Sequence, residues 1–124
     1  MDKVTGFEIP ADNLKRARKF YGSVFGWKID QLDDEYSHIK TVDMDSNWVP
    51  KVKGAVNGGL FKRALKTERP VILITVDSIE KTLAKAKRCG GKTVTGRTMA
   101  GEWGWWAEVM DTEKNVFELW EDAD

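Results

Sequence analysis

The chain has 124 residues, with twenty Lys and Arg balancing twenty Asp and Glu. That balance excludes the face-wide basic excess that drives nucleic-acid binding. The length leaves room for one compact domain, or two small modules sharing a core, and not for two independent domains. In chain order, residues 3–9 alternate as a strand, with Gly6 and Glu8 on one face and Phe7 and Ile9 on the other. Pro10 is expected to end that strand, and Asp12 or Asn13 to cap a helix whose apolar stripe is Leu14, Ala17, Tyr21, Val24 and Phe25. Gly26 stops this helix. Strands follow at 27–31 and 36–44, then a loop over 45–57 and a short closing strand over 58–61. The charged stretch 63–69 reads as a linker.

The second half opens with a buried strand at 71–76, and Asp77 with Glu80 forms a capping box for the next helix. Ile79, Leu83, Ala86 and Cys89 or Gly90 mark its buried stripe. Strands are expected at 92–95, 105–110 and 116–120, with a glycine-flanked loop over 96–104. Cys89 is the single cysteine, which excludes an internal disulfide or a cysteine-cluster metal site and fits a reducing compartment. The start Met1-Asp2-Lys3 shows no signal-peptide pattern, and the aliphatic run at 71–76 is too short to cross a bilayer. The expectation is a cytoplasmic protein with neither membrane nor nucleic-acid partners.

The two halves repeat one another. Strand, amphipathic helix, glycine stop and strand recur at one offset, since 71 − 6 = 65 and 91 − 26 = 65. Each half is therefore β-α-β-β-β, and the fold class is α+β with two pseudo-repeated modules. Module one covers about 1–62, the linker 63–69 and module two 70–124, within a single domain.

Several segments spread along the chain carry a family resemblance. They are Phe7-Glu8-Ile9-Pro10-Ala11-Asp12, Val24-Phe25-Gly26-Trp27, Gly58-Gly59-Leu60-Phe61, Gly101-Glu102-Trp103-Gly104 and 111–120. In their order and spacing the chain resembles the vicinal-oxygen-chelate superfamily of glyoxalases, bleomycin-resistance proteins and extradiol dioxygenases. It looks most like a branch related to lactoylglutathione lyase. The resemblance implies a half-open barrel around a pocket, and a homodimer. In metal-dependent members it also implies a ligand on the first and last strand of each module. Those positions here are Gly6, Gly59, Val71 and Glu118. Only Glu118 has a side-chain donor, and a divalent ion needs three or more protein ligands. No metal and no cofactor is therefore expected.

The short connection 111–115 suggests a register for the last hairpin in which Glu108 opposes Glu118 and Trp106 opposes Trp120. Two facing carboxylates in an apolar setting cannot both ionise easily, which suits a general acid or base. Glu118, with Glu8 and Glu108, is thus the catalytic candidate set. Trp103, Trp106, Trp120 and His38, with space left at Gly6 and Gly59, are the candidates for holding a small molecule. Lys114 falls where the family places glycine, so strain is expected in that turn.

Three functions stay open from sequence. The first is a domain binding a small, partly apolar or aromatic molecule without metal. The second is a lyase or isomerase using Glu118 as general base. The third is an interaction module whose pocket is filled by tryptophan.

Overall fold

The computed structural model describes residues 1–124. Two compact units divide the chain, one formed by Gly6–Pro70 and the other by Met1–Thr5 with Val71–Asp124. Residues 63–70 thus cluster with the first module, and the first five residues with the second.

The first unit contains β1 (Lys3–Ala11, from Gly6 onward), α1 (Leu14–Phe25), β2 (Lys28–Gln31), β3 (Tyr36–Lys40) and β4 (Asn57–Lys62). The strand order is β2-β3-β4-β1; β1 runs parallel to β4, and the other pairs are antiparallel. Strand β1 does not end at Pro10, because Pro10 and Ala11 continue to pair with Phe61 and Lys62. Asn13 caps α1 by accepting the Arg16 N–H at 2.9 Å, and Gly26 closes it at φ 72°.

The helix packs on the sheet face carrying Ile39 and Leu60, both fully buried, together with Ala11 and Leu14. Phe7, Ile9, Tyr21 and Trp27 surround that core, with Tyr21 and Trp27 stacked at 5.5 Å. The expected helical stripe is too long at its C-terminal end. Val24 and Phe25 are 56% and 57% exposed. Phe25 instead leans on Trp27 at 5.0 Å.

The second unit contains β5 (Val71–Thr75), α2 (Ile79–Arg88), β6 (Lys92–Ala100), β7 (Gly104–Met110) and β8 (Val116–Asp122). The start of β1 borders β5, and the order continues β5-β8-β7-β6. There β5 and β8 are parallel, β8 and β7 antiparallel, and β7 and β6 antiparallel. Thr5 and Thr75 share a hydroxyl hydrogen bond of 2.7 Å at this border. Strand β6 runs through the segment expected as a loop, with register shifts between Thr93 and Thr95 and between Thr95 and Thr98. Such bulges absorb Gly96 and break the alternation that marks a strand in sequence.

The helix cap is Ser78, one residue later than expected; its side chain accepts the Lys81 N–H at 3.2 Å. This places both helix starts at the repeat offset, since 79 − 14 = 65. Val76, Ile79, Ala107 and Leu119 form the buried core under α2, with Leu83 and Trp105 against it. Cys89 lies outside the stripe: it is exposed at the helix C-cap. Lys114 has φ 67°, the left-handed conformation that favours glycine. The Asp111 carboxylate holds that turn by accepting the N–H groups of Glu113 and Asn115. Those bonds keep the Asp111 carboxyl below the usual carboxylate range. No helix is long and apolar enough to cross a membrane.

Candidate functional site

In each unit the helix takes one sheet face, so strand alternation leaves the other face for chemistry. On that face of the first unit, Glu8 on β1 is in register with Gly59 on β4, and Gly59 with His38 on β3. Gly6 lies two residues earlier on β1, buried and opposite Asn57. Four sequence candidates, Gly6, Glu8, His38 and Gly59, are therefore brought onto one face of one sheet. They were separated by up to fifty-three positions in the chain (59 − 6).

Glu8 is the chemically distinctive member. Tyr36, also on β3 and two residues before His38, donates its hydroxyl to Glu8 Oε1 at 3.0 Å. The other oxygen, Oε2, is buried and has no hydrogen-bond partner. Burial raises the Glu8 carboxyl from 4.5 to about 7, against the opposing effect of the Tyr36 hydrogen bond. An unpaired buried acceptor costs about 1–3 kcal/mol, so a structure keeps one only where something else offsets it.

Gly59 makes this arrangement possible. A Cβ at that position would lie 1.8 Å from Tyr36 Oη and 2.3 Å from Glu8 Oε2, inside any permitted contact. His38 is held below its ordinary pKa, first by burial and then by the Lys40 charge, with Asp30 working in the opposite sense. The Lys40 ammonium lies 3.7 Å from Asp30 on the neighbouring strand. His38 is thus biased to the neutral imidazole, able to donate and accept at once.

The second unit carries the other candidates. Glu108 opposes Glu118, and Trp106 opposes Trp120, in the register that the turn length suggests. Leu73 on β5 is the neighbour of Glu118 on its other side. Thr95 donates to Glu108 Oε1 at 2.6 Å, so the Glu108 carboxyl has a polar partner within its own sheet. Trp120 donates its indole N–H to Asp122 at 2.7 Å, and its ring lies against Gly104, where a Cβ would come within 2.7 Å. Trp106 and Trp120 are half-buried, whereas Trp103 is 72% exposed on the β6–β7 turn. Trp105 takes the opposite face, into the α2 core, with the Arg97 guanidinium 3.7 Å above its ring.

Tyr36 is the residue that sequence reasoning did not single out. Its signal was available, since Tyr36 has the same strand parity as His38. What the sequence does not show is that Glu8, twenty-eight residues earlier, lies within reach of its hydroxyl.

Neither open depression of the first unit involves these residues. One, of about 660 Å³, is lined by Pro10, Tyr21, Arg63, Lys66 and Arg69 among others. Its arginines are already engaged: Arg63 by Asp12 at 2.9 Å, and Arg69 by the Lys66 and Glu68 carbonyls. The other, of about 330 Å³, lies beside Lys40, Asp43, Trp48 and Lys51. Both are open to solvent and neither reaches the buried carboxyl, which is the stronger chemical feature.

The donor set does not fit the metal of metal-dependent relatives. Gly6, Gly59 and Val71 offer no side-chain ligand, and no group of three or more His, Cys, Asp or Glu is placed to hold a metal ion. The side-chain space at 59 is also taken by the Tyr36–Glu8 hydrogen bond.

Comparison with known proteins agrees with the architecture. The family model described as bleomycin resistance protein-like N-terminal matches residues 3–41. A hypothetical protein from Bacillus halodurans superposes with a TM-score of 0.68 at 14% identity, over 99% of this chain and 96% of that one. Methylmalonyl-CoA epimerase from Streptomyces coelicolor, in complex with 2-nitronate-propionyl-CoA, gives 0.69 at 12% identity, over 98% of both chains. An extradiol ring-cleaving dioxygenase from B. fuscum gives 0.66 at 16% identity; 97% of this chain matches 32% of that larger one. No curated protein matches the chain in sequence. The α+β architecture of paired β-α-β-β-β modules is the fold of these structures, and the sequence of residues 3–41 is bleomycin resistance protein-like. The fold is shared by an epimerase and a ring-cleaving dioxygenase, so it does not by itself specify a reaction.

Proposed function

We propose that the chain binds a small, partly apolar or aromatic molecule without the metal used by metal-dependent relatives, and that it works in the cytoplasm as a homodimer. The observation that supports this reading is the buried Glu8 oxygen without a hydrogen-bond partner, on a sheet face that also carries His38. A ligand laid there would cover apolar surface and satisfy the orphan oxygen in one step.

A thermal-shift screen of small aromatic molecules tests the proposal, repeated on Glu8→Leu, which removes the orphan oxygen. Stabilisation of the wild type by at least one compound, lost in Glu8→Leu, is the expected result. Stabilisation that survives Glu8→Leu unchanged would move the site elsewhere.

One observation favours a second reading, a lyase or isomerase. A carboxyl titrating near 7 is suited to proton abstraction next to a carbonyl. In that case Glu8 is the better candidate base, with Tyr36 as its hydrogen-bonded neighbour.

A further inference from the structure

We propose that the depression of about 660 Å³ in the first unit is a separate binding site, independent of Glu8, for an organic phosphate monoester with a small apolar group. Three cations, Arg63, Lys66 and Arg69, line it against a single acid, Asp12, which leaves the lining with a charge of +2. Ile9 and Tyr21 give it an apolar wall that is continuous with the core under α1. The segment carrying the cations reads in sequence as a linker, yet it is fastened in place. The Arg63 N–H donates to the Ala11 carbonyl at 2.9 Å, and Glu68 Oε1 accepts the N–H groups of Ala64 and Leu65 at 2.6 and 2.7 Å.

The two arginines carry the inference. Arg63 and Arg69 both donate from Nη1 to one acceptor, the Glu68 carbonyl oxygen. Sharing that oxygen brings two like charges close together, which costs free energy unless an anion offsets it. Asp12 offsets one of them, at 2.9 Å from Arg63 Nε. No carboxylate pairs with Arg69 or with Lys66. The bonds that hold the guanidiniums also leave donors over: Nη2 of Arg63, and Nε and Nη2 of Arg69, have no partner in the chain. A guanidinium fixed along one edge offers the other to an anion at little further cost in entropy. A phosphate monoester brings about −1.5 to −2 charges and three acceptor oxygens, which matches the lining, whereas a single carboxylate would leave one cation unpaired.

Isothermal titration of the full chain at low ionic strength, with phenyl phosphate, inorganic phosphate and phenol as probes, tests the site. Phenyl phosphate should bind at least about fivefold more tightly than either of the others, since it alone uses both the cations and the apolar wall. Lys66→Gln and Arg69→Gln should each weaken phenyl phosphate about three- to tenfold. Lys66 is exposed and its side chain holds no other bond, so that variant is decisive where Arg69→Gln disturbs the loop. Lys85→Gln makes the same charge change at an exposed position on α2 and should leave the affinity within about twofold. Equal weakening in all three variants would show an anion following overall charge, and overturns the proposal. Unchanged affinity in Lys66→Gln and Arg69→Gln, or no binding of phenyl phosphate at millimolar concentration, overturns it as well. Inorganic phosphate binding as tightly as phenyl phosphate overturns the ligand class.

Discussion

Glu8 combines two properties that protein interiors rarely tolerate together, a raised pKa and an unpaired oxygen. Its folded-state pKa of about 7 lies above the ordinary 4.5, so between those values the folded chain holds a proton that the unfolded chain releases. Stability associated with this group is present below pH 4.5 and is lost as pH rises through about 7. The full loss is about 3 kcal/mol, as an order of magnitude. Glu8→Gln removes the titration while keeping the shape. Urea unfolding of the two proteins should therefore give similar stabilities near pH 4, relative to which the variant gains up to about 3 kcal/mol by pH 8. A difference that does not change with pH would show that Glu8 ionises normally. Of the pair, Glu8 was legible in the sequence as a polar residue on the Gly6 face. Its partner Tyr36 was not, because a side-chain contact between β1 and β3 depends on β4 lying between them with a glycine at the crossing.

Among the elements, the C-terminal strand and the second helix are tied together by one side chain. Glu121 on β8 accepts the Ile79 N–H at 2.8 Å, an unpaired donor of the first turn of α2, and pairs with Arg97 on β6 at 2.9 Å. Arg97, followed by the Ile79 bond, holds the Glu121 carboxyl below its usual range. Glu121→Ala should cost about 1–2 kcal/mol, combining the loss of a helix-end acceptor with that of a partly shielded ion pair. The measurement is the shift in urea midpoint at unchanged slope. A loss no larger than the few tenths typical of an exposed pair would mean that the helix-end contact contributes nothing. The two N-caps, Asn13 and Ser78, sit at one offset and were within reach of sequence reasoning, although Ser78 was passed over for Asp77. The extension of β6 was not, since its bulges interrupt the two-residue period on which strand recognition depends.

At the scale of the molecule, each unit has its own core, Ile39 and Leu60 under α1, and Ala107 and Leu119 under α2. Both leucines are essentially removed from water, Leu60 fully and Leu119 to 2% exposure. Leu60→Ala and Leu119→Ala should each cost about 2–5 kcal/mol, from lost burial and the cavity left behind. Chemical denaturation followed by tryptophan fluorescence checks this. A cost below 1 kcal/mol at either position would mean that the site relaxes freely and is not a packed core.

The sequence by itself determined the duplicated β-α-β-β-β order, the pairing of helix and sheet faces, the register of the last hairpin and the absence of donors at three of four chelate positions. All of these depend on local periodicity, turn length or residue identity, which neighbouring residues specify. Tertiary structure decided that Glu8 is buried and hydrogen-bonded to Tyr36. Desolvation and hydrogen bonding are set by what other strands bring alongside a group, and the environment of Glu8 is made by Tyr36 and Gly59 from elsewhere in the chain.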